Sequence, residues 1–354
     1  MSLSRYRHTA KIAFVGNFQY NCGSSNALLG YTRAGVTLGH DVRVSEFGYV
    51  DEPIRSSVPL AKKSWRPDLL VIVYESYPFL SDKVIEQICS FVPRSKRIII
   101  DPDGKYLPPV FFAGGTNHLT SNPYNYWTSL YDFLSDVILQ PFIGNREVKN
   151  VRQFLYFGVD RQVSELSKQP KDFDLLYVGN NWYRWHDIKW LIETIAPIRS
   201  RLKRVALIGQ HWSPEVMEGF EEATYSDPIF LKKHRVEIYN SAPYGQVEMT
   251  MSRGFLNPIF VRPILNKLQF ITPRMFETIL ADTVPLIPSY FTHASSLYGE
   301  EINQLTISSE NPAESIVKIL ENYKKNLKLV KKMRKMLKVK HTYEMRLNEL
   351  LEYI

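Results

Sequence analysis

The stretch KLQFITPRMFETILADTVPLIP, residues 267–288, reads as a helix feeding an apolar strand. Thr272 suits the N-cap, and Pro273 suits the first helical position, whose N–H would be unpaired in any case. Arg274 then falls in the first turn, beside the unpaired backbone N–H groups and the positive end of the helix dipole. A cation is unfavourable there on its own. The placement makes electrostatic sense once an anion docks against it.

Outward from this unit the same scheme repeats. Apolar runs at 11–17, 41–47, 69–75, 97–103 and 136–141, then at 173–180, 204–210, 235–241, 254–260, 283–288 and 303–307, alternate with helical stretches such as 25–38 and 81–92. Alternation of this kind predicts parallel sheets covered by helices, an α/β fold with two doubly wound, Rossmann-like domains. The series restarts near 155–163 after a polar link containing Arg146, Lys149 and Arg152. The expected domains are therefore 1–158 and 159–340, with a last helix at 341–354 packing back on the first domain. Open α/β sheets bind ligands beyond the carboxyl ends of their strands, so an interdomain cleft is the expected active site.

At 354 residues, two cores are the natural expectation, and 44% hydrophobic with 23% charged residues is an ordinary globular composition. No apolar run approaches the roughly 20 residues of a membrane span. The start, MSLSRYRHTAKIAFVGNF, lacks a signal-peptide pattern, and the two cysteines, Cys22 and Cys89, lack metal-ligand spacing. The expected compartment is the cytoplasm, with the membrane surface also permitted. Net charge is +8, yet 324–340 holds nine Lys or Arg and no acid, leaving −1 for the rest. Leu329, Met333, Met336 and Leu337 recur there at helical spacing, which predicts an amphipathic helix with a basic outer face. Such a face is a solvated surface, or it meets DNA or anionic lipid.

Arg274 and Glu277 share one helix face and read either as a surface ion pair or as a site. In the second reading the guanidinium and helix N–H groups take a diphosphate, and Glu277 accepts from a ribose diol. In the first domain, IIIDPDGKY (98–106) carries Asp101 and Asp103, read as a catalytic carboxylate or as Asp-Gly turn chemistry. GNFQYNCGSSNALLG (16–30) opens a helix at Gly23, Ser24 and Ser25 but contains no G-x-G-x-x-G, which argues against a dinucleotide-dependent dehydrogenase.

RMFETILADTVPLIP resembles the donor-binding signature of the two-domain GT-B glycosyltransferases, where a basic residue meets the diphosphate and a glutamate the ribose. More narrowly it is similar to the spore-maturation type of bacterial glycosyltransferases. SSNALLGYTRAGVTLGHDV (24–42) and the order of elements after Arg274 bear a fainter likeness to bacteriophage DNA β-glucosyltransferase. The resemblance implies a nucleoside diphosphate sugar, UDP-linked, as donor, with no metal or cofactor required. It implies that Gly179, Asn180 and Arg184 in LYVGNNWYRWHDIKWL join Arg274 on the phosphates, that Glu277 holds the ribose, and that Gly209 and Gln210 contact the base. Gly23, Ser24, Ser25, Asn26 and His118 are then expected near sugar and acceptor, and Asp103 or Asp101 as the carboxylate that takes the acceptor's proton. Trp182, Trp185 and Trp190 around Arg184 equally suit a core, and Gly209 a turn. The acceptor is open between hydroxymethylated DNA, a membrane-linked glycan or lipid, and a small planar molecule against NPYNYWTSLY (122–131). A non-catalytic nucleotide-sugar or nucleic-acid binding module on the same fold is the alternative from another class.

Overall fold

The computed structural model describes residues 8–75, 80–106, 124–144 and 147–354. The chain divides into two compact units, Met1–Arg161 with Phe270–Thr272 and Lys340–Ile354, and Gln162–Gln269 with Pro273–Val339. The return of Phe270–Thr272 to the first unit, just before Pro273, is a feature absent from the sequence reading.

The first unit contains β1 (Lys11–Phe18), β2 (Asp41–Ser45), β3 (Tyr49–Val50), β4 (Leu60–Ala61), β5 (Leu69–Val73), β6 (Arg97–Ile100), β7 (Ile138–Gln140) and β8 (Val151–Gln153). They run parallel in the order β4-β2-β1-β5-β6-β7-β8, with β3 added to β1. The second unit contains β9 (Phe173–Val178), β10 (Val205–Ile208), β11 (Val236–Tyr239), β12 (Gly254–Pro258), β13 (Val284–Pro288) and β14 (Thr306–Ile307), parallel in the order β11-β10-β9-β12-β13-β14. Each strand expected from the sequence has a counterpart, although of 303–307 only Thr306–Ile307 is strand and Glu300–Leu305 forms a 3-10 helix. β3, β4 and β8, each of two or three residues, were not foreseen, being too short to show a pattern.

In both sheets the chain leaves its first strand in one direction and later returns to build in the other. The switch points are β1/β5 and β9/β12. The central strands are apolar along their whole length because helices cover both faces: every residue of LLVIV in β5 and VPLIP in β13 is buried.

The helices that carry functional or anchoring side chains are, in chain order, α1 (Gly23–Leu38), α2 (Tyr124–Leu134), α3 (Trp185–Ile195), α4 (Val247–Met251), α5 (Pro273–Leu280), α6 (Tyr323–Lys340) and α7 (Tyr343–Leu351). α7 starts at Thr342, whose side chain caps Met345 N, and packs on α1 so closely that a Cβ at Gly30 would lie 2.1 Å from the Tyr343 ring.

α6 forms the expected amphipathic helix with a basic outer face, but not all of its cations lie on that face. Arg334 turns inward, its side chain 4% exposed, and pairs with fully buried Asp282 at 2.7 Å. It also donates to Leu280 O at the carboxyl end of α5 and to Val163 O and Ser164 O. Lys338 donates to Val163 O as well, Val330 is buried, and Met336 is only half-buried. The helix stays amphipathic because one guanidinium satisfies carbonyls that would otherwise end α5 unpaired.

Candidate active site

In the second unit the expected donor residues gather at the carboxyl ends of β9 and β10 and in the first turn of α5. Arg274 has its side chain 16% exposed, with Nη1 3.4 Å from Glu277 Oε2. Charge-assisted hydrogen bonds are nearer 2.8 Å, so Glu277 balances part of the charge without closing a tight pair. Nη1 also reaches Met251 Sδ at 3.3 Å, and the guanidinium stands 5.6 Å from the Tyr177 ring centre. Gly179 makes room for it, since a Cβ there would lie 2.8 Å from Arg274 Nη2.

The expected N-cap is not made. Thr272 Oγ1 is buried without a hydrogen-bond partner among the described residues. The segment before α5 is instead fixed by backbone: Ile271 N donates to Pro141 O at 2.6 Å, and Phe270 bridges Phe142.

Arg184 occupies the N-cap position of α3, and its Nη1 donates to Trp182 O at 2.9 Å. Its Nε is buried without a partner among the described residues. Burial depresses its pKa, and the neighbouring Arg262 and Arg274 add to the depression, against Tyr177 and Asp187. Arg262, 8% exposed, was missed in the sequence. Its signal was present: an apolar run, GFLNPIFV, ending in a cation followed by proline.

The carboxyls nearby are all shifted toward neutrality. Burial raises Glu277 against the opposing pull of Arg274, and burial raises Asp187 against a hydrogen bond from Tyr290 and the charge of Arg184. Glu248 on α4 is pushed up to about 7 by burial and by Glu277. Guanidiniums do not release their protons, whereas burial weakens the carboxyls that stand beside them. What results is a half-buried cationic patch that an anion of two or more charges would stabilise.

Asn180 and Gly209 have structural work. Asn180 Oδ1 accepts from Gln210 N at 2.9 Å, and Asn181 N donates to Gln210 O at 2.9 Å. A Cβ at Gly209, whose φ is +155°, would lie 2.2 Å from Gly179 O. The four residues Gly179, Asn180, Gly209 and Gln210 thus form one locked pair of loops. Trp182 packs on Phe220 and Trp185 on Phe230, the aromatic-core alternative for those rings.

In the first unit, Asp101 and Asp103 separate in role. Asp101 is fully buried and accepts from Lys105 N (3.0 Å), Tyr106 N (2.9 Å), Gln140 Nε2 (2.8 Å) and Tyr131 OH (3.4 Å). A carboxylate so used holds a turn. Asp103 lies 2.9 Å from Lys105 Nζ. Ser24 and Ser25 are buried, and Ser24 N donates to Glu75 Oε2 at 2.7 Å, so their hydroxyls do not present a binding surface and a carboxylate sits at the start of α1. Asn26 Nδ2 donates to Cys22 O at 3.3 Å. Trp127 and Tyr131, from the stretch that permits a small planar acceptor, are 0% exposed and belong to the core with Tyr74 and Tyr106. His118 lies outside the described residues.

No family model matches the sequence, and no curated protein matches it. Solved structures do. T4 phage BGT, a β-glucosyltransferase solved with its UDP-glucose substrate, is 15% identical with a TM-score of 0.58 over 97% of this chain and 98% of its own. An α-glucosyltransferase in complex with UDP-glucose and DNA containing an abasic site is 11% identical, TM-score 0.64, over 97% and 100%. An α-glucosyltransferase with UDP and a 13-mer DNA containing a HMU base is 11% identical, TM-score 0.60, over 98% and 99%. The likeness runs nearly end to end and establishes the fold, which is the GT-B architecture expected from the sequence.

Proposed function

We propose that this protein transfers a sugar from a nucleoside diphosphate sugar, UDP-linked, to a hydroxyl on a modified base in DNA. The observation that carries the reading is the crowding of Arg184, Arg262 and Arg274 beyond the ends of adjacent strands, with their balancing carboxyls shifted toward neutrality. A diphosphate supplies the missing charge. Its own negative charge grows as the sugar leaves, so guanidiniums aimed at it stabilise the transition state more than the ground state, without requiring a metal.

In this reading Arg274 and Arg184 bind the diphosphate with the N–H groups that open α5, Glu277 accepts from the ribose diol, and the locked loops at Gly179, Asn180, Gly209 and Gln210 shape the nucleotide site. Gly23 and Asn26 lie on the sugar and acceptor side. Asp103 accepts the proton of the acceptor hydroxyl as its oxygen bonds to the anomeric carbon. The bond from that carbon to the diphosphate breaks, and the nucleoside diphosphate leaves with the electron pair.

Two observations favour DNA as acceptor over a lipid or a small molecule: structural neighbours were solved on DNA, and Lys324, Lys325, Lys328 and Lys335 line the exposed side of α6. The test is release of UDP from UDP-glucose with a duplex containing a 5-hydroxymethyl pyrimidine, against the unmodified duplex. Arg274→Ala is expected to lower turnover by at least about 10²-fold, the scale of losing one transition-state charge contact, while its melting temperature stays near wild type. A wild-type rate in this variant refutes the assignment, and stabilisation by UDP-glucose without transfer to any duplex favours a binding module instead.

A further inference from the structure

In D-P-D-G-K (101–105), the first aspartate builds a turn and the second is gripped by the lysine. The bonds from Lys105 N and Tyr106 N to Asp101, with Gly104 at φ +69°, fold the chain back on itself. Lys105 is thereby directed into the protein. Its Nζ donates to Tyr74 O at 2.8 Å and to Asp103 Oδ2 at 2.9 Å, and lies 5.6 Å from the Trp127 ring centre. Both side chains of the pair are 1% exposed.

A buried ion pair is a poor source of stability, because desolvation of the two charges about cancels their attraction and an apolar pair of similar volume does as well. The turn does not need it, since Asp101 already holds that. The pair stands just past β6, next in the sheet to β5 at the switch point, where sheets of this kind present chemistry.

We propose that Lys105 is a positioning residue for the transfer: its buried ammonium fixes the Asp103 carboxylate in place and keeps it charged until the acceptor hydroxyl arrives. This rests on the reading of Asp103 as the base. Lys105 holds Oδ2 by its hydrogen bond, and the carboxylate takes the acceptor's proton. Among the described residues, the ionisable groups around the pair include Asp101, Tyr74, Tyr106 and, on α2, Tyr131, with Asp132 bonded to Tyr106 OH at 2.9 Å. Burial holds the Tyr131 phenol well above its usual range, with Asp101 and Asp103 reinforcing it, so it stays neutral. Burial also raises Asp101, against the pull of Lys105. Among these groups Lys105 is the cation bonded to Asp103.

The experiment is the pH profile of kcat/KM for UDP-glucose turnover on the hydroxymethylated duplex, with UDP-glucose affinity measured in parallel. Lys105→Met is expected to move the acidic limb upward by about one pH unit or more, the usual effect of removing an adjacent opposite charge, with UDP-glucose affinity within about twofold of wild type. Lys105→Arg, which keeps the charge, is expected to restore the wild-type limb. Where methionine costs the fold, Lys105→Gln donates to the same oxygens without charge and carries the same expectation. An inactive Asp103→Asn together with an unmoved limb in the uncharged Lys105 variant overturns this inference alone. Wild-type turnover in Asp103→Asn overturns the assignment of the base and this inference with it.

Discussion

At Gly179 a methyl group would meet the end of Arg274, 2.8 Å away, and the Tyr177 hydroxyl, 3.0 Å away. Both are side-chain ends able to move, so Gly179→Ala should leave the fold intact and displace the guanidinium. UDP-glucose affinity is expected to fall by about tenfold or more, some 1.4 kcal/mol, with little change in melting temperature, as titration calorimetry beside a melt would show. Glu248 gives a prediction in pH. Its folded carboxyl titrates at about 7, above the ordinary 4.5, so the folded chain binds the extra proton between those values. Its stabilising contribution is full below about 4.5 and is lost as pH rises to 7. Glu248→Gln should therefore flatten the decline between pH 5 and 7 and exceed wild type at pH 8 by roughly 1–2 kcal/mol in denaturant melts, the value being reduced from the full linkage by partial solvent access.

At the scale of elements, α5 is held at its carboxyl end from outside itself, where Leu280 O accepts from Arg334 on α6. Arg334→Met would leave buried Asp282 without its guanidinium, and would remove the Arg334 bonds to the carbonyls of Leu280 and Ser164, while Val163 O keeps Lys338. A loss of about 3–5 kcal/mol is expected in equilibrium unfolding, whereas Arg334→Met with Asp282→Asn should recover part of it. The sequence showed α5 and α6 as helices but not this clamp, because a Lys/Arg-rich helix gives no local sign of which cation turns inward.

For the whole molecule the charge is concentrated on one element. Without the nine cations of α6 the remainder is nearly neutral, and of those nine Arg334 and Lys338 are engaged in the fold. Lys331 pairs with Glu165 at 3.8 Å and Lys332 with Glu301 at 2.6 Å. If Lys324, Lys325, Lys328 and Lys335 meet phosphates, the logarithm of duplex affinity should fall with log salt at a slope of roughly −3 to −4, about two decades between 50 and 200 mM. Charge reversal at Lys324, Lys325 and Lys328 should flatten that slope without altering UDP-glucose affinity. A slope near zero in the wild type would remove DNA as the partner of this face.

Local chemistry determined the elements. Apolar runs long enough to be buried on both faces read as strands, and the alternation with helices read as two parallel sheets, because periodicity is written residue by residue. Arg274, Glu277, Gly179 and Arg184 were legible for a related reason: each stands at a strand end or helix start, where an α/β sheet presents ligands. Only the tertiary structure decided what those positions do. It placed Arg262 among the arginines, set Glu248 beside Glu277, buried Arg334 and Trp127, gave Asp101 to a turn, and joined Lys105 to Asp103. Burial and charge balance depend on neighbours far apart in the chain, and one sequence carries no local record of which partners fold brings within a few ångströms.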